Sequence, residues 1–246
     1  MPFPNKLRSQ LENLLGSKWV KDDPVTLYTY RCDGLTLYTA PPMGVVFPGD
    51  RDQLVEVVKC LHGLKIPFLP RGAGTGLSGG AVPSQESVII EMVRFKQVEE
   101  IDLLNRTITV GPGVINLRIS ETVQPEGYHY VPDPSSQKAC TIGGNVAENS
   151  GGPHTLKYGV TVNHVLGLEM VLPDGEVVEL GGNHFPMLGP DLLGLVIGSE
   201  GTFGIVTRVT CRLTPNPEKA VTLLGIFDSV HMACEGVSSV IRRGII

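Results

Sequence analysis

The chain has 246 residues, 41% of them hydrophobic and 18% charged, which is the composition of a folded protein with a substantial core rather than of a disordered one. A net charge of -5 argues against a nucleic-acid partner, although backbone amides can still bind a small anion. The five cysteines are scattered and form no CxxC pair, which suits a reducing compartment and offers no zinc or iron–sulfur site.

The sequence also lacks the usual marks of export or membrane insertion. Its N-terminus has no apolar core typical of a signal peptide, and no stretch approaches about 18 uninterrupted apolar residues. We therefore expect a soluble intracellular protein without a transmembrane segment.

The first part of the chain predicts an α/β unit. Leucines at helical spacing predict an amphipathic helix over residues 7–20, followed by an irregular stretch to residue 39. A short strand at 44–48 is followed by a helix for which Asp50 is a favourable N-cap. A second strand, at 66–69, then leads into an unusual glycine-rich segment.

That segment, residues 70–80, reads PRGAGTGLSGG and contains five glycines. Glycine permits positive φ and close approach of a ligand, so such a run can turn several N–H groups inward as a nest for an anion. It contains a GxGxxG pattern, but a strand rather than a helix follows it, so the context excludes a Rossmann dinucleotide site. Flanking strands also favour a ligand-binding loop over a flexible linker.

Two further glycine-rich segments follow, at residues 141–152 and 198–204, and a rigid Pro-Asp-Pro-Ser-Ser turn stands at 132–136. We expect the glycine-rich segments to form walls of one elongated cleft. Between and beyond them the patterns predict strands at 88–95, 98–103, 107–110 and 128–131, a helix at 114–122, a hairpin of 166–172 with 177–180, a helix at 191–197, strands at 205–213 and 221–227, and a helix at 228–243.

Taken together, these segments resemble the FAD-binding domain of the vanillyl-alcohol-oxidase/PCMH superfamily, and in particular its glycolate oxidase D-subunit and D-lactate dehydrogenase branch. The matching motifs lie at 71–80, 132–136, 141–149 and 198–206, and the resemblance covers about residues 40–246. It implies an α+β fold, with a PCMH-type FAD-binding domain of two α/β subdomains and only the start of a cap domain.

The resemblance implies that FAD is held by all of these motifs. The amides of residues 71–76, with the hydroxyls of Thr75 and Ser78, would hold the diphosphate. The residues of the 132–136 turn and of the 141–152 segment would line the ribityl chain and flavin ring. The motif at 198–206 would meet either the adenosine half of FAD or the pyrimidine edge of its flavin ring. The predicted cofactor-binding residues are Pro70, Arg71, Gly72, Ala73, Gly74, Thr75, Gly76, Ser78, Gly79, Pro132, Asp133, Pro134, Ser135, Thr141, Gly143, Gly144, Asn145, Ala147, Ser150, Gly151, Glu200, Gly204, Ile205 and Val206.

The first loop has no histidine, so the resemblance implies FAD bound without a covalent tether. It also implies three regions: an N-terminal helix and lead-in (1–40), the FAD-binding domain (41–217), and an incomplete substrate cap (218–246). The family's histidine-rich catalytic motif is expected beyond residue 246, so the chain resembles a truncated product, a fragment or half of a split protein. No catalytic residue and no metal site is predicted.

The function that the resemblance implies is FAD-dependent oxidation of glycolate or a D-2-hydroxy acid such as D-lactate. Further glycolate oxidase subunits, including an iron–sulfur subunit, would be partners, and they would place a cytoplasmic protein at the membrane periphery. The alternatives are an FAD-binding subunit or fragment without its own substrate site, an NADPH-dependent flavin reductase of the cell-wall type, and a non-flavin interaction protein.

The histidines and acids near the second segment are candidates for a catalytic base. No carboxylate stands at a recognisable spacing from His154 or His164, so we expect each to be a surface or hydrogen-bonding residue. Asp133 and Glu148 are expected to bond nearby amides, as acids in tight turns often do.

Overall fold

The structure, a computed structural model, describes residues 3–182 and 189–244. Its first subdomain is a four-stranded sheet covered by helices. The elements are α1 (Asn5–Leu15), β1 (Val20–Lys21), α2 (Pro24–Thr29), β2 (Gly44–Val46), α3 (Arg51–Gly63), β3 (Phe68–Arg71) and β4 (Val88–Glu91). The strand order is β1-β2-β4-β3, with β2, β4 and β3 parallel and β1 antiparallel to β2.

Apolar spacing and capping explain the two long helices of this subdomain. Leu7 and Leu11 face the sheet from α1, and Leu54, Val58 and further residues do so from α3. The carboxylate of Asp50 accepts a hydrogen bond from the Gln53 N–H at 2.8 Å, as its position in the sequence predicts.

The second subdomain is a five-stranded antiparallel sheet with helices on one side. Its elements are β5 (Val98–Asp102), β6 (Thr107–Val110), α4 (Asn116–Val123), β7 (Tyr128–His129), α5 (Ile142–Glu148), α6 (Thr155–Tyr158), β8 (Val165–Val171), β9 (Val177–Gly181), α7 (Leu192–Val196), β10 (Ile205–Arg212) and β11 (Thr214–Pro215). The strand order is β5-β6-β10-β8-β9, and β7 pairs with β11.

The two subdomains share part of one core. Val171 at the end of β8 and Ile205 at the start of β10 pack into the apolar cluster of the first subdomain. A second cluster lies between the antiparallel sheet and helices α4 and α5. The predicted α+β class with two α/β subdomains is therefore confirmed.

Several predicted bounds are wrong for identifiable reasons. Helix α1 ends at Leu15 instead of residue 20, because Gly16 has φ +88° and reverses the chain. Residues 22–39 contain the short helix α2, which Asp23 caps. The strand predicted at 88–95 stops at Glu91, since the chain turns between Met92 and Phe95.

The C-terminal part differs more. Residues 221–227, predicted as a strand, form none in the structure, because no neighbouring strand satisfies their backbone groups. The predicted helix that follows is present as α8 (Val230–Arg242), with Ser229 as its N-cap. No side chain described between residues 218 and 244 is buried. None of the helices in the described ranges combines the length and apolar character needed to cross a bilayer.

This exposure predicts that residues 218–246 contribute little to stability. Deleting them should change the free energy of unfolding by less than about 0.5 kcal/mol, because the described side chains there leave no core contact behind. Leu54→Ala, at a fully buried position, is the contrast and should cost about 2–5 kcal/mol. Urea denaturation followed by circular dichroism measures both, and a loss above about 2 kcal/mol on truncation would contradict the prediction.

Candidate cofactor-binding site

A cavity of about 480 Å³ lies where the two subdomains meet, and all three glycine-rich segments line it. Its size is within the usual range for small-molecule and cofactor sites. The first segment enters from the end of β3, the second contains α5, and the third precedes β10. The structure thus brings together segments that are about 60 residues apart in sequence.

Every cofactor-binding residue predicted from the sequence lines this cavity except Gly79, Pro132 and Asp133. Each of those three makes a polar contact within the protein instead. The Gly79 N–H donates to Asp33 Oδ2 at 3.0 Å, and the Pro132 carbonyl accepts from Asn116 Nδ2 at 2.8 Å. The Asp133 carboxylate contacts His154 Nδ1 at 2.6 Å.

The first loop supplies unpaired main-chain donors. Among the residues described, no backbone N–H from Gly72 to Ser78 donates a hydrogen bond to a protein acceptor. These residues are half-buried or exposed, so their N–H groups are free to bond an external acceptor such as a bound anion or water. No helix lies between β3 and β4, which agrees with the exclusion of a Rossmann site.

The Arg71 side chain holds the loop in place by hydrogen bonds to main-chain carbonyls. It is 9% exposed, and its Nη1 donates to the carbonyls of Cys32 at 2.9 Å and Ala81 at 2.8 Å. A Cβ at Gly74 would clash with the Arg71 guanidinium, and Gly74 also has φ +67°. Only glycine fits both conditions, so the guanidinium and Gly74 together set the path of the loop.

The second segment contributes a buried side-chain donor. Thr141 caps α5, its hydroxyl accepting from the Gly144 N–H at 3.4 Å. On the same helix Asn145 is only 2% exposed, lines the cavity, and its Nδ2 has no hydrogen-bond partner. A buried unpaired amide is costly, so this donor is a further indication of a ligand.

The third segment is tied to the second by main-chain bonds. The N–H groups of Gly198 and Glu200 donate to the carbonyls of Val146 and Ala147, each at 2.8 Å. Glu200 adopts a left-handed conformation with φ 55°. This turn places the start of β10 against α5, which brings Gly204, Ile205 and Val206 to the cavity.

One contact joins the first and second segments directly. Ser78 Oγ donates to Glu148 Oε2 at 3.2 Å, so Glu148 bonds a neighbouring hydroxyl rather than an amide of its own turn. Glu148 and Glu200 are the carboxylates on the described cavity wall, and no histidine or lysine is among its residues.

Sequence reasoning missed part of the wall. Several missed residues stand inside the recognised motifs, where the glycine pattern was the available signal. Five lie outside them, namely Ala81, Met92, Pro112, Cys140 and Val196. For Met92 the available signal was its place after the carboxyl end of a parallel strand. The lining residues not predicted are Leu77, Gly80, Ala81, Met92, Pro112, Ser136, Cys140, Val146, Glu148, Val196, Ser199 and Gly201.

The two histidines near the second segment differ. His164 is buried, and Nε2 contacts the Tyr158 carbonyl at 2.9 Å; burial lowers the pKa of its imidazole. It is therefore a hydrogen-bonding residue, as predicted. His154 does have a carboxylate partner, Asp133, contrary to the sequence analysis, because the fold joins residues 21 positions apart. Neither member of this pair lines the cavity.

Glu91 is a buried carboxyl next to the start of the first loop. It is 4% exposed and lies opposite Arg71 in the β3–β4 pair. Burial raises the pKa of Glu91 to about 7, against the opposing effects of Arg71 and of the Val93 and Met92 backbone. The folded protein therefore keeps a proton on Glu91 over a pH range in which the unfolded chain releases it.

This difference predicts a pH-dependent stability. Since the pKa of Glu91 is about 7 when folded and 4.5 as its reference value, stability should fall as pH rises through this window. Glu91→Gln has no titrating group at this position, so its stability does not fall in this window. The free energy of unfolding of the variant minus that of wild type should therefore rise by on the order of 2–3 kcal/mol from pH 4.5 to pH 8. Urea titrations at both pH values test this, with the exposed Glu56→Gln as the matched control. If the difference in unfolding free energy between Glu91→Gln and wild type is the same at both pH values, the raised pKa of Glu91 is wrong.

Comparison with known proteins agrees with this geometry. The FAD-binding domain family matches residues 42–181. The chain is 48% identical over 217 residues to glycolate oxidase subunit GlcD of Escherichia coli (strain K12), covering 88% of this chain and 44% of the relative. It is 39% identical over 241 residues to the GlcD subunit of Bacillus subtilis, covering 98% and 51%. D-lactate dehydrogenase of Archaeoglobus fulgidus is 35% identical over 219 residues, with 87% and 49% covered.

Among solved structures, alkyldihydroxyacetonephosphate synthase superposes with a TM-score of 0.79 at 24% identity, covering 89% of this chain and 42% of that one. This likeness shows that the two chains share a fold. The chain spans about half the length of the curated relatives it matches. The unpaired amides and the buried Asn145 donor fit an FAD cofactor. The chain therefore belongs to the FAD-binding domain family, and its cofactor is FAD.

Proposed function

We propose that this chain forms the FAD-binding part of an oxidoreductase that oxidises glycolate or a D-2-hydroxy acid such as D-lactate to the 2-oxo acid. The observation that carries the cofactor half of this proposal is the run of unpaired N–H donors from Gly72 to Ser78 at the cavity wall. The names of the relatives, glycolate oxidase subunit and D-lactate dehydrogenase, support the substrate half.

Each cavity wall has a part in this proposal. The amides of residues 72–78, with the hydroxyls of Thr75 and Ser78, bind the diphosphate, because converging N–H dipoles stabilise an anion without lysine side chains. Residues from Thr141 to Gly151 face the ribityl chain and flavin ring, where Asn145 Nδ2 donates a hydrogen bond. Gly204, Ile205 and Val206 meet the adenosine half or the pyrimidine edge.

When bound, FAD supplies the hydride acceptor for the hydrogen on C2 of the hydroxy acid. The part of this chain is to bind and orient that acceptor and to exclude water with the apolar residues Met92, Val146 and Val196. The hydroxyl proton needs a base, and the described wall offers no histidine.

The same observation favours a second candidate, in which the chain is an FAD-binding subunit or fragment without a substrate site of its own. It predicts tight binding of FAD but no reduction by hydroxy acids.

Under the first proposal, further glycolate oxidase subunits, including an iron–sulfur subunit, accept the electrons in the cytoplasm or at the membrane periphery. FAD is held without a covalent bond, since residues 70–80 contain no histidine.

Titration of the purified chain with FAD, followed by anaerobic addition of glycolate or D-lactate, tests these proposals. Quenched flavin fluorescence on binding and loss of the yellow absorbance after addition of substrate support the oxidoreductase. A bound flavin that stays oxidised with every hydroxy acid supports the second candidate and overturns substrate turnover by this chain. A chain that leaves flavin fluorescence unchanged overturns both.

Gly72→Ala tests the geometry of the cavity. A Cβ at Gly72 would overlap the Thr141 hydroxyl, so the variant must shift either the Thr141 side chain, which caps α5, or the first loop. We expect FAD affinity to fall about tenfold or more, with circular dichroism unchanged. Gly63→Ala is the matched control, because nothing lies within 4 Å of its Cβ position. Equal FAD affinity in both variants would contradict the predicted placement of FAD between loop and helix.

A further inference from the structure

We propose that Asp33 is a positioning residue for the diphosphate-binding amides, acting through a turn at residues 31–36 that we call the lead-in turn. This inference rests on the assignment of residues 72–78 to the FAD diphosphate. The lead-in turn lies before residue 42, where the family match begins.

The Asp33 carboxylate bonds both the lead-in turn and the loop. It belongs to a residue that is 6% exposed. Its Oδ1 accepts from the N–H groups of Leu35 at 2.9 Å and Thr36 at 3.2 Å, while Oδ2 accepts from the Gly79 N–H at 3.0 Å. One buried anion thus joins the two segments, and its charge is met by three amide donors.

The next residue controls the orientation of a peptide in the loop. The Gly34 N–H donates to the Gly76 carbonyl at 3.0 Å, which turns that carbonyl toward the lead-in turn. Since the peptide is trans, the N–H of Leu77 points the opposite way. Leu77 lines the cavity, so the Gly34 bond fixes the orientation of an amide at the cavity wall. A Cβ at Gly34 would lie 2.9 Å from the Thr75 carbonyl oxygen, so the two backbones are in close contact.

A third connection comes from the loop itself. Arg71 Nη1 donates to the Cys32 carbonyl at 2.9 Å, at the beginning of the lead-in turn. The loop is therefore held near its start by Arg71, in its middle by Gly34, and near its end by Asp33. An amide nest that is held before the ligand arrives does not lose that freedom on binding, and this raises affinity.

Asp33→Ala tests the inference by leaving the Gly79 N–H without its acceptor. We expect affinity for FAD and for ADP, which share the diphosphate, to fall about tenfold or more. Affinity for riboflavin, which has no phosphate, should stay as in wild type. Hydrogen–deuterium exchange of a peptide covering residues 72–82 should become faster without any ligand. Asp33→Asn, which keeps one acceptor oxygen, should fall between Asp33→Ala and wild type.

Asp23→Ala is the matched control. Asp23 lies nearby in sequence and accepts from the Thr26 N–H at 2.9 Å, but it does not contact the loop. It should leave ADP affinity and exchange at 72–82 unchanged. The inference is overturned if Asp33→Ala keeps wild-type ADP affinity, or if it weakens ADP and riboflavin binding equally.

Failure of the cofactor assignment would look different. If wild type binds neither FAD nor ADP, the diphosphate assignment is wrong, and the exchange rates at 72–82 in Asp33→Ala still decide whether the lead-in turn holds the loop. Faster exchange together with normal ADP affinity in that variant would show that this hold has no part in binding, and would overturn the inference.

Discussion

Main-chain N–H groups can bind an anion when several of them point to the same place, and we propose that the first loop of this structure serves that requirement. Residues 72–78 leave their amides unpaired within the described protein. A loop in this state is not stable by its own bonds, so neighbouring groups must hold it. Arg71 and Asp33 do so from one side, and Ser78 joins Glu148 on the other.

The position of the cavity follows from how the two sheets meet. Strand β3 ends at the subdomain boundary, so the loop after it faces the helix α5 of the antiparallel subdomain. The main-chain bonds from Gly198 and Glu200 to α5 complete the third wall. Since Val171 and Ile205 pack into the first core, a shift between the sheets would also displace these walls. Packing and cofactor binding are therefore linked.

How much was predictable depended on the range of each interaction. Glycine spacing and turn residues are local signals, and they located the three segments, Asp50 as a cap, and most of the cavity wall. The Asp33–Gly79 and Asp133–His154 contacts join residues far apart in sequence, and neither residue type signals its partner. The prediction of a strand at 221–227 was wrong for a related reason: a mostly apolar run does not form a strand without a neighbouring strand to bond. Gly79 is part of the loop, but it does not line the cavity, and its N–H donates to Asp33 in the lead-in turn.

Binding by amide dipoles also determines how the site responds to solvent. A lysine or arginine cluster attracts a diphosphate over distances comparable to the Debye length, about 8 Å at physiological ionic strength, and dissolved ions weaken that attraction. Dipoles act mainly at hydrogen-bond distance, where mobile ions do not enter. Arg71 is the cation on the described cavity wall, and the chain as a whole carries a net charge of -5, so the long-range field of the protein does not favour the approach of an anion. If residues 72–78 hold the diphosphate as proposed, we therefore expect capture of the cofactor to be slower than electrostatically steered association, and its retention to depend only weakly on ionic strength.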